Sequence, residues 1–157
     1  MHPTWIPSAG PRPRRRFLQA SVAAAAGFMV VPRCVLGRGQ VPPSEKLHLA
    51  GIGIGGQGGA DLEEMQSENI VALCDVDSDY AAKTFAKYPK AKRYGDYREM
   101  LEKEPGVDAV VIGTPDHQHA IISVAALRHG KHVYCEKPLT RTVKEARIVA
   151  QAAQETR

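Results

Sequence analysis

The sequence predicts an α/β protein with a doubly wound parallel sheet, and three observations support this prediction. From Lys46 onward, short apolar runs alternate with segments of helical periodicity, as in right-handed βαβ units. The run 107–113 is almost entirely apolar, which is typical of a strand covered by helices on both faces. A glycine-rich turn directly follows the first run, where a doubly wound fold passes from a strand into a helix.

The apolar runs and the helical segments are expected to give strands and helices in strict alternation. The predicted strands are 47–54, 70–75, 91–94, 107–113 and 131–135. The predicted helices cover about 58–67, 78–88, 96–101, 117–129 and 142–153.

Three local motifs predict where helices begin or end. The spacings Asp96-x-x-Glu99 and Thr142-x-x-Glu145 each fit a capping box at a helix start. Gly130 fits the left-handed residue that ends the fourth helix. The last helix is expected to carry its apolar residues on one face, namely Val143, Ala146, Val149, Ala150 and Ala153.

The turn at 53–58 fits the G-x-G-x-x-G fingerprint of dinucleotide-binding folds, although a plain strand–helix corner is the alternative. Gly53 permits the tight turn, Gly55 lets the backbone approach a pyrophosphate, and Gly58 lets the next helix pack closely on the strand. The free N–H groups and the positive dipole end of that helix then face the phosphates. The predicted cofactor contacts in this loop are Gly53, Ile54, Gly55, Gly56 and Gly58.

The second apolar run ends at Asp75, twenty positions after Gly55. In a dinucleotide fold, a carboxylate at this place accepts hydrogen bonds from the adenosine ribose hydroxyls. With the nearby Asp77, it would repel a 2′-phosphate, so NAD is favoured over NADP. Asp77 itself is interpreted as a solvated helix cap rather than a ligand contact. The sequence therefore predicts a Rossmann-like fold with an NAD site.

The basic charge of the chain belongs to its first 38 residues. The formal net charge is +4, from 21 Lys and Arg against 17 Asp and Glu. Six arginines and no acidic residue lie within 1–38, which leaves 15 basic against 17 acidic side chains, a net of −2. The remaining chain is mildly acidic and gives no electrostatic reason to expect a nucleic-acid partner.

The segment 13–19 resembles the bacterial twin-arginine export signal, with Arg14 and Arg15 as the arginine pair. An alanine-rich apolar stretch follows at 20–31. That stretch is too short and too weakly hydrophobic for a stable membrane span, which needs about 20 residues. The twin-arginine export machinery is therefore an expected partner, and the periplasm is the expected location.

The expected organisation is a signal peptide, a linker and one domain. These parts are predicted at 1–37, 38–45 and 46–157. The twin-arginine route exports proteins that are already folded, often with a cofactor loaded, which suits a protein that binds a nucleotide made in the cytoplasm.

Neither the cysteines nor the histidines predict a metal site. Cys74 and Cys135 end apolar runs and are expected to behave as small buried hydrophobes. His117 and His119 lie two positions apart at a helix start, so their side chains diverge and are not expected to share a metal. His119 is expected to be an ordinary surface or half-buried residue, as are His48, His129 and His132.

Five strings of residues carry a resemblance to a known family. They are GIGIGGQGG at 51–59, ALCDVD at 72–77, YGDYR at 94–98, TPDHQH at 114–119 and GKHVYCEKPL at 130–139. In order and spacing they resemble the N-terminal half of the Gfo/Idh/MocA oxidoreductases, a group that includes glucose–fructose oxidoreductase and inositol dehydrogenase. The Glu-Lys-Pro string after the fifth strand is the most discriminating, because generic dinucleotide folds do not require it.

The resemblance implies further site residues beyond the ends of the fourth and fifth strands, the edge where an open α/β sheet binds ligands. Thr114, Pro115, His117 and Glu136 are implied to lie near the cofactor. Lys137 is implied to be catalytic, orienting the cofactor and assisting proton transfer during hydride exchange at a sugar or cyclitol carbon. A surface ion pair with Glu136 is the alternative for Lys137.

The resemblance also implies a second part that this sequence does not contain. We expect the sheet to be truncated after the fifth strand and its helix, without the C-terminal α/β substrate domain that supplies the general acid/base in related dehydrogenases. The expected function is the NAD-binding portion of an exported oxidoreductase acting on sugar- or cyclitol-like substrates. The alternatives are a stand-alone dinucleotide-binding module or inactive fragment without turnover, and an NAD-dependent glycosidase of the same family.

Overall fold

The computed structural model describes residues 45–156, and in this range the chain forms a parallel sheet of five strands with five helices. The strands are β1 His48–Ile52, β2 Asn69–Cys74, β3 Lys92–Tyr94, β4 Ala109–Ile112 and β5 His132–Cys135. The helices are α1 Gln57–Glu64, α2 Ala82–Lys87, α3 Tyr97–Lys103, α4 Asp116–Arg128 and α5 Val143–Glu155. The predicted Rossmann-like α/β fold is confirmed.

The strands lie in the order β3-β2-β1-β4-β5, and each neighbouring pair is parallel. From β1 the chain winds outward to β3 and then returns to β4 on the other side of β1. Ile52 pairs with Cys74 of β2 and with Ile112 of β4, so these three strands end level with one another. A crevice for a ligand forms at such a reversal of strand order, beyond the carboxyl ends of the strands.

Alternate residues of the strands pack into two hydrophobic cores, one on each face of the sheet. One core contains Ala50, Ile52, Ala72, Cys74, Val110 and Ile112 of the strands with Met100, Leu101, Ile122 and Ala126 of α3 and α4. The other contains Leu73 and Val111 with Ile54, Leu62, Ala81, Phe85 and Ala91. Burying a large side chain such as Leu62 or Met100 completely stabilises the fold by roughly 1.5–3 kcal/mol. The sheet is thus packed between two helical layers, which hold the carboxyl ends of its strands in place.

Two of the three predicted helix-end motifs are confirmed. Thr142 and Glu145 form a complete capping box at the start of α5, since each side chain bonds the other residue's backbone N–H. Gly130 follows α4 with a positive φ of 70°, the left-handed conformation that was predicted.

The third motif is only half correct. Asp96 does cap α3, with its carboxylate accepting a hydrogen bond from the backbone N–H of Arg98. Glu99 does not return to the cap; it pairs with Lys103 one turn further along α3. An ion pair at i, i+4 competes for the same side chain that the reciprocal bond would need.

The buried face of α5 differs from the prediction. Val149 and Ala152 are its buried residues, whereas Val143 is 70% exposed. The helix packs against α4, and small side chains allow close approach between the two helices. The spacing of apolar residues identified α5 as a helix, but packing against α4 determines which of its faces is buried.

Residues 1–44, which hold the predicted signal peptide and nearly all of the predicted linker, lie outside the described residues. Between residues 45 and 156, no helix has the length and apolar character needed to cross a membrane. Over the same range, no cluster of three or more His, Cys, Asp and Glu side chains is placed to hold a metal ion.

Candidate functional site

A cleft of about 740 Å³ lies beyond the carboxyl ends of β1, β2 and β4, where the strand order reverses. Its walls come from the glycine-rich turn, the segment after β2, the start of α3 and the start of α4. The lining residues include Gly53, Gly55, Gly56, Gln57, Asp75, Asp77, Tyr80, Asp96, Tyr97, Arg98, Thr114, Pro115, His117 and Gln118. Segments far apart in sequence therefore meet in one cavity.

The glycine-rich turn is shaped by two positions that exclude a side chain. Gly53 leaves β1 with a φ of 74°, which ends the strand two residues earlier than predicted. At Gly58 an added Cβ would overlap the carbonyl oxygen of Gly53 and come within 3.0 Å of the Cα of Gly113. Backbone therefore packs on backbone where α1 crosses β1 and β4, as the fingerprint predicts.

Asp75 holds the glycine-rich turn through hydrogen bonds that the sequence did not reveal. Its Oδ2 accepts from the backbone N–H of Ile54 at 2.8 Å and from that of Gly55 at 3.0 Å. Its Oδ1 accepts from the backbone N–H of Asp77 at 3.0 Å. The carboxylate thus ties the end of β2 to the turn after β1, and Oδ1 keeps lone-pair capacity for a further donor.

Tyr80 covers the glycine-rich turn and was not singled out from the sequence. An added Cβ on Gly55 would overlap the Tyr80 ring, and one on Gly56 would lie 2.8 Å from its hydroxyl oxygen. Asp77 fixes the backbone here, because its Oδ1 accepts from the N–H groups of Asp79 at 3.1 Å and Tyr80 at 2.9 Å. The predicted helix cap at Asp77 is therefore wrong in its place: Asp77 caps the turn at 78–81, whereas α2 begins only at Ala82 and has no side-chain cap. The turn that Asp77 holds positions the Tyr80 ring against the glycine-rich turn.

The start of α3 closes the far side of the cleft. The Arg98 guanidinium makes a bidentate ion pair with the Asp96 carboxylate and lies 5.4 Å from the centre of the Tyr97 ring. Hydrogen bonds from Arg98 lower the pKa of Asp96, so this carboxylate stays ionised. Both groups are solvent-exposed, and their pairing orders the wall more than it stabilises the fold.

The two described cysteines are both free and lie at strand ends. Burial, and then the charge of Asp75, raises the pKa of Cys74 to about 12. Burial also raises the pKa of Cys135, which is half-buried. The expectation that both behave as small buried hydrophobes holds for Cys74 and in part for Cys135.

Most of the predicted site residues meet in the cleft. Those that line it are Gly53, Gly55, Gly56, Asp75, Thr114, Pro115 and His117. Ile54 and Gly58 are buried beneath the turn, where they shape it without facing the cavity. Glu136 and Lys137 do not line the cavity; they follow β5 at the same edge of the sheet.

Lys137 is exposed, and Glu136 is half-buried. Among residues 45–156, Lys137 forms no ion pair and no side-chain hydrogen bond, so the alternative of a surface pair with Glu136 does not form there. The Tyr134 hydroxyl donates a long hydrogen bond of 3.4 Å to Oε1 of Glu136. The charges of Asp61 and then of Glu136 raise the pKa of Tyr134.

His119 contradicts its interpretation as a surface or half-buried residue. Its side chain is fully buried, with 1% of its surface exposed. Its Nε2 lies 2.6 Å from the carbonyl oxygen of Thr114, and its Nδ1 lies 2.7 Å from that of Pro138. His119 lies on the same face of α4 as the buried Ile122 and Ala126, three and seven positions later, and this helical spacing was the one signal of its burial in the sequence.

The described residues fit an elongated ligand that carries phosphates. The N–H groups of Gly56 and Gln57 open α1, and the first N–H groups of a helix have no intrahelical acceptor. Thr114 adds a buried hydroxyl oxygen without a hydrogen-bond partner among residues 45–156. A helix N-terminus for phosphates and a carboxylate after β2 for a ribose define a dinucleotide-binding α/β domain.

This chain belongs to the Gfo/Idh/MocA oxidoreductase family, whose NAD-binding Rossmann-fold model matches residues 46–157. It is 34% identical over 108 residues to inositol 2-dehydrogenase of Salmonella typhimurium, covering 66% of this chain and 32% of that protein. It is 35% identical over 138 residues to a glycosyl hydrolase family 109 protein of Stenotrophomonas maltophilia, covering 78% of this chain and 29% of that one. The chain thus spans about a third of these relatives.

Solved structures agree with the family. The crystal structure of GenD2 from gentamicin A biosynthesis, in complex with NAD, superposes with a TM-score of 0.66 at 28% identity. The match covers 81% of this chain and 35% of GenD2. Residues 46–157 therefore form the NAD-binding domain of a Gfo/Idh/MocA oxidoreductase.

Proposed function

We propose that this chain is the cofactor-binding portion of an exported oxidoreductase that transfers hydride to or from a sugar- or cyclitol-like substrate. The observation that carries the proposal is the cleft at the reversal of strand order, where the glycine-rich turn and Asp75 are joined by two hydrogen bonds. The similarity to an inositol 2-dehydrogenase supports a polyhydroxylated substrate.

Each wall of the cleft has a proposed part in holding the cofactor. The N–H groups of Gly56 and Gln57 bind the pyrophosphate, and the free acceptor site on Asp75 Oδ1 accepts a ribose hydroxyl. Thr114, Pro115 and His117 line the other wall, where we propose that they contact the rest of the cofactor. Bound NAD supplies a nicotinamide that takes up or releases a hydride.

NAD is the proposed cofactor in preference to NADP. The Asp75 carboxylate holds the turn, and the exposed Asp77 lies two residues further on. A 2′-phosphate on the same ribose would bring about two negative charges towards these carboxylates, and that repulsion is only partly screened in the cleft.

Lys137 is the proposed catalytic residue. Its amine is exposed at the carboxyl end of β5 and unpaired among the described residues, so it is free to contact a ligand. We propose that it orients the substrate hydroxyl and helps to move the hydroxyl proton as the carbon–hydrogen bond breaks. An alcohol oxidation also needs a base within hydrogen-bond reach, which we place in the remaining length of the family's proteins.

Binding and turnover test this proposal separately. Calorimetry of the 157-residue chain with NAD and with NADP should give a clear heat for NAD and at least a tenfold weaker affinity for NADP. Absence of NAD binding would refute the proposal. Turnover is then measured as NADH absorbance with cyclitols and aldoses, comparing the wild type with Lys137→Met and with the exposed-lysine control Lys144→Met.

An NAD-dependent glycosidase is the second candidate. It is favoured by the 35% identity to the glycosyl hydrolase family 109 protein, which covers more of this chain than the inositol dehydrogenase match does. Release of a chromogenic aglycone that requires NAD, without net NADH, identifies this activity. Binding of NAD with neither NADH formation nor aglycone release would favour the stand-alone module.

Export through the twin-arginine route is the proposed fate of the chain. Arg14 and Arg15 supply the pair, and the apolar stretch 20–31 follows. Cell fractionation of the full chain should recover it from the periplasm. The double variant R14K/R15K should stay in the cytoplasm, whereas the control Arg33→Lys should be exported. Export of the double variant would refute the proposal.

A further inference from the structure

The side chain of Gln57 lies in the cleft and is held there by a buried carboxyl group. Gln57 is the first residue of α1, it is exposed, and it lines the cleft. Its Nε2 donates a hydrogen bond of 2.9 Å to Oδ1 of Asp61, one turn further along α1. Asp61 is only 8% exposed, so the amide of Gln57 is bonded to a side chain that is fixed in the interior.

The bond to Asp61 determines which end of the Gln57 amide is left for a ligand. A side-chain amide has two N–H donors on its nitrogen and two lone pairs on its oxygen. Asp61 accepts from the nitrogen, and the oxygen Oε1 of Gln57 makes no hydrogen bond among residues 45–156. Gln57 therefore offers an acceptor at the wall of the cleft, beside the backbone N–H donors that open α1.

Asp61 lies on the side of α1 that is directed towards β5. Tyr134 of β5 pairs with Val111 of β4, so both side chains lie on the sheet face that α1 covers. The charge of Asp61 is the largest cause that raises the pKa of Tyr134, which places these two side chains near each other. In the strand order, β5 and β2 lie on opposite sides of β1, and Asp75 follows β2. The amide of Gln57 thus lies on the side of the turn away from Asp75.

We propose that Gln57 is a further cofactor-binding residue, whose carbonyl oxygen accepts a hydrogen bond from the nicotinamide riboside half of NAD, and that Asp61 positions it. This inference rests on the proposed function, because it assigns a wall of the same cleft. A dinucleotide with its adenosine ribose at Asp75 and its diphosphate at the start of α1 continues towards β4 and β5. That half carries two kinds of donor, the ribose hydroxyls and the carboxamide N–H groups, and a carbonyl oxygen accepts from either.

Calorimetry with NAD and with ADP separates this contact from the rest of the site. ADP has the adenosine and the diphosphate but no nicotinamide riboside. Gln57→Met keeps the backbone N–H group, so it should bind ADP as the wild type does. It should bind NAD roughly three- to tenfold more weakly, the size expected for one neutral hydrogen bond. The control Gln66→Met, at an exposed glutamine after α1, should change neither affinity. An unchanged affinity for NAD, or equal losses for NAD and ADP, would overturn the proposal.

ADP-ribose identifies the group that donates to Gln57. It keeps the second ribose and lacks the nicotinamide. If Gln57→Met weakens ADP-ribose as much as NAD, the donor is a ribose hydroxyl, and if it weakens NAD alone, the donor is the carboxamide. A wild-type chain that binds neither NAD nor ADP would refute the proposed function, and this contact with it.

Asp61→Asn tests the positioning role, because asparagine keeps the shape of the side chain but can offer an N–H group to Oε1 of Gln57. NAD affinity should fall about two- to fivefold and ADP affinity should not change. The control Glu64→Gln, at an exposed acid on α1, should change neither.

Side-chain amide signals in ¹H–¹⁵N spectra test the same role without a ligand. The signals of Gln57, assigned by their absence in Gln57→Met, should move in Asp61→Asn and not in Glu64→Gln. In the wild type, the Gln57 amide protons should exchange with solvent more slowly than those of Gln66, a measurement that needs no variant of Asp61. Signals that do not move, or equal exchange rates, would overturn the positioning role.

Discussion

The glycine-rich turn after β1 and the Glu136-Lys137 segment after β5 lie at the same edge of one sheet, yet they are fixed in different ways. At the turn, backbone packs on backbone between Gly53 and Gly58, and a carboxylate from β2 bonds two of its N–H groups. After β5, the Lys137 side chain is exposed and unpaired among the described residues. The turn is fixed by contacts with β2 and β4, whereas no side-chain contact among the described residues fixes Lys137.

Gly58→Ala should give the largest effect, because it adds a side chain where the glycine-rich turn packs backbone against backbone. The new Cβ would overlap the carbonyl oxygen of Gly53 and approach the Cα of Gly113, and backbone cannot yield as a flexible side chain can. Overpacking of this kind costs about 1–3 kcal/mol. Urea unfolding should show that loss, and NAD binding should fall with it.

Gly106→Ala is the matched control for this change. An added Cβ there meets nothing within 4 Å, and the residue is exposed. Its free energy of unfolding should stay within about 0.5 kcal/mol of the wild type. Equal stability losses in both variants would mean that the close approach of α1 to β1 and β4 does not constrain the fold.

Asp75→Asn should weaken NAD binding by roughly ten- to a hundredfold, from the loss of charge-assisted hydrogen bonds worth about 1.5–3 kcal/mol. The amide also brings N–H donors towards the N–H groups of Ile54 and Gly55, which the carboxylate now accepts. Calorimetry should find NAD and NADP affinities closer together than in the wild type. Asp79→Asn, an exposed carboxylate nearby, should change neither affinity. A preserved preference for NAD in Asp75→Asn would remove Asp75 from the specificity argument.

Tyr80→Ala should have a smaller effect in the opposite direction. The ring lies on Gly55 and Gly56, where a pyrophosphate would approach the backbone, so binding requires the ring to move. If the open ring position is a minor population, removing the ring should raise NAD affinity roughly three- to tenfold. Stopped-flow fluorescence should assign the gain to the association rate. A drop in affinity would instead mean that the ring contacts the bound cofactor.

The smallest expected difference is between the alkylation rates of Cys74 and Cys135, which end β2 and β5. The pKa of Cys74 is raised to about 12, so its thiol is protonated at pH 8 and should alkylate more slowly than half-buried Cys135. A raised pKa favours the protonated folded state, so this contribution to stability is complete below pH 9 and is lost as the pH rises from 9 to 12. Peptide mapping after iodoacetamide treatment measures both rates, and similar rates would contradict the burial difference.

The fold could be predicted because its signals are local. Strands β1, β2 and β4 are largely apolar runs, and the capping box at Thr142 and the left-handed Gly130 are read from neighbouring residues. The sequence also located the residues that line one half of the cleft, because the fingerprint encodes a steric requirement at fixed spacing.

The rest of the site depends on contacts between distant segments. Tyr80 contacts the turn although it lies 25 positions after Gly55, and no sequence pattern around an exposed tyrosine predicts which residues it contacts. His119 was predicted to be a surface or half-buried residue, because histidine has no strong preference for the interior, yet it lies on the buried face of α4. For the same reason the sequence identified α5 as a helix but not which stripe α4 would cover.

The two hydrogen bonds from Asp75 have a consequence for how quickly the cleft can capture a ligand. The turn is already ordered by its own carboxylate, so an incoming molecule does not have to freeze the backbone torsions at Ile54 and Gly55. That conformational entropy, about 1–2 kcal/mol for each residue, is lost during folding instead. Once the Tyr80 ring has moved, capture should therefore proceed by docking onto a preorganised backbone, with little change in heat capacity beyond that of the surface it covers.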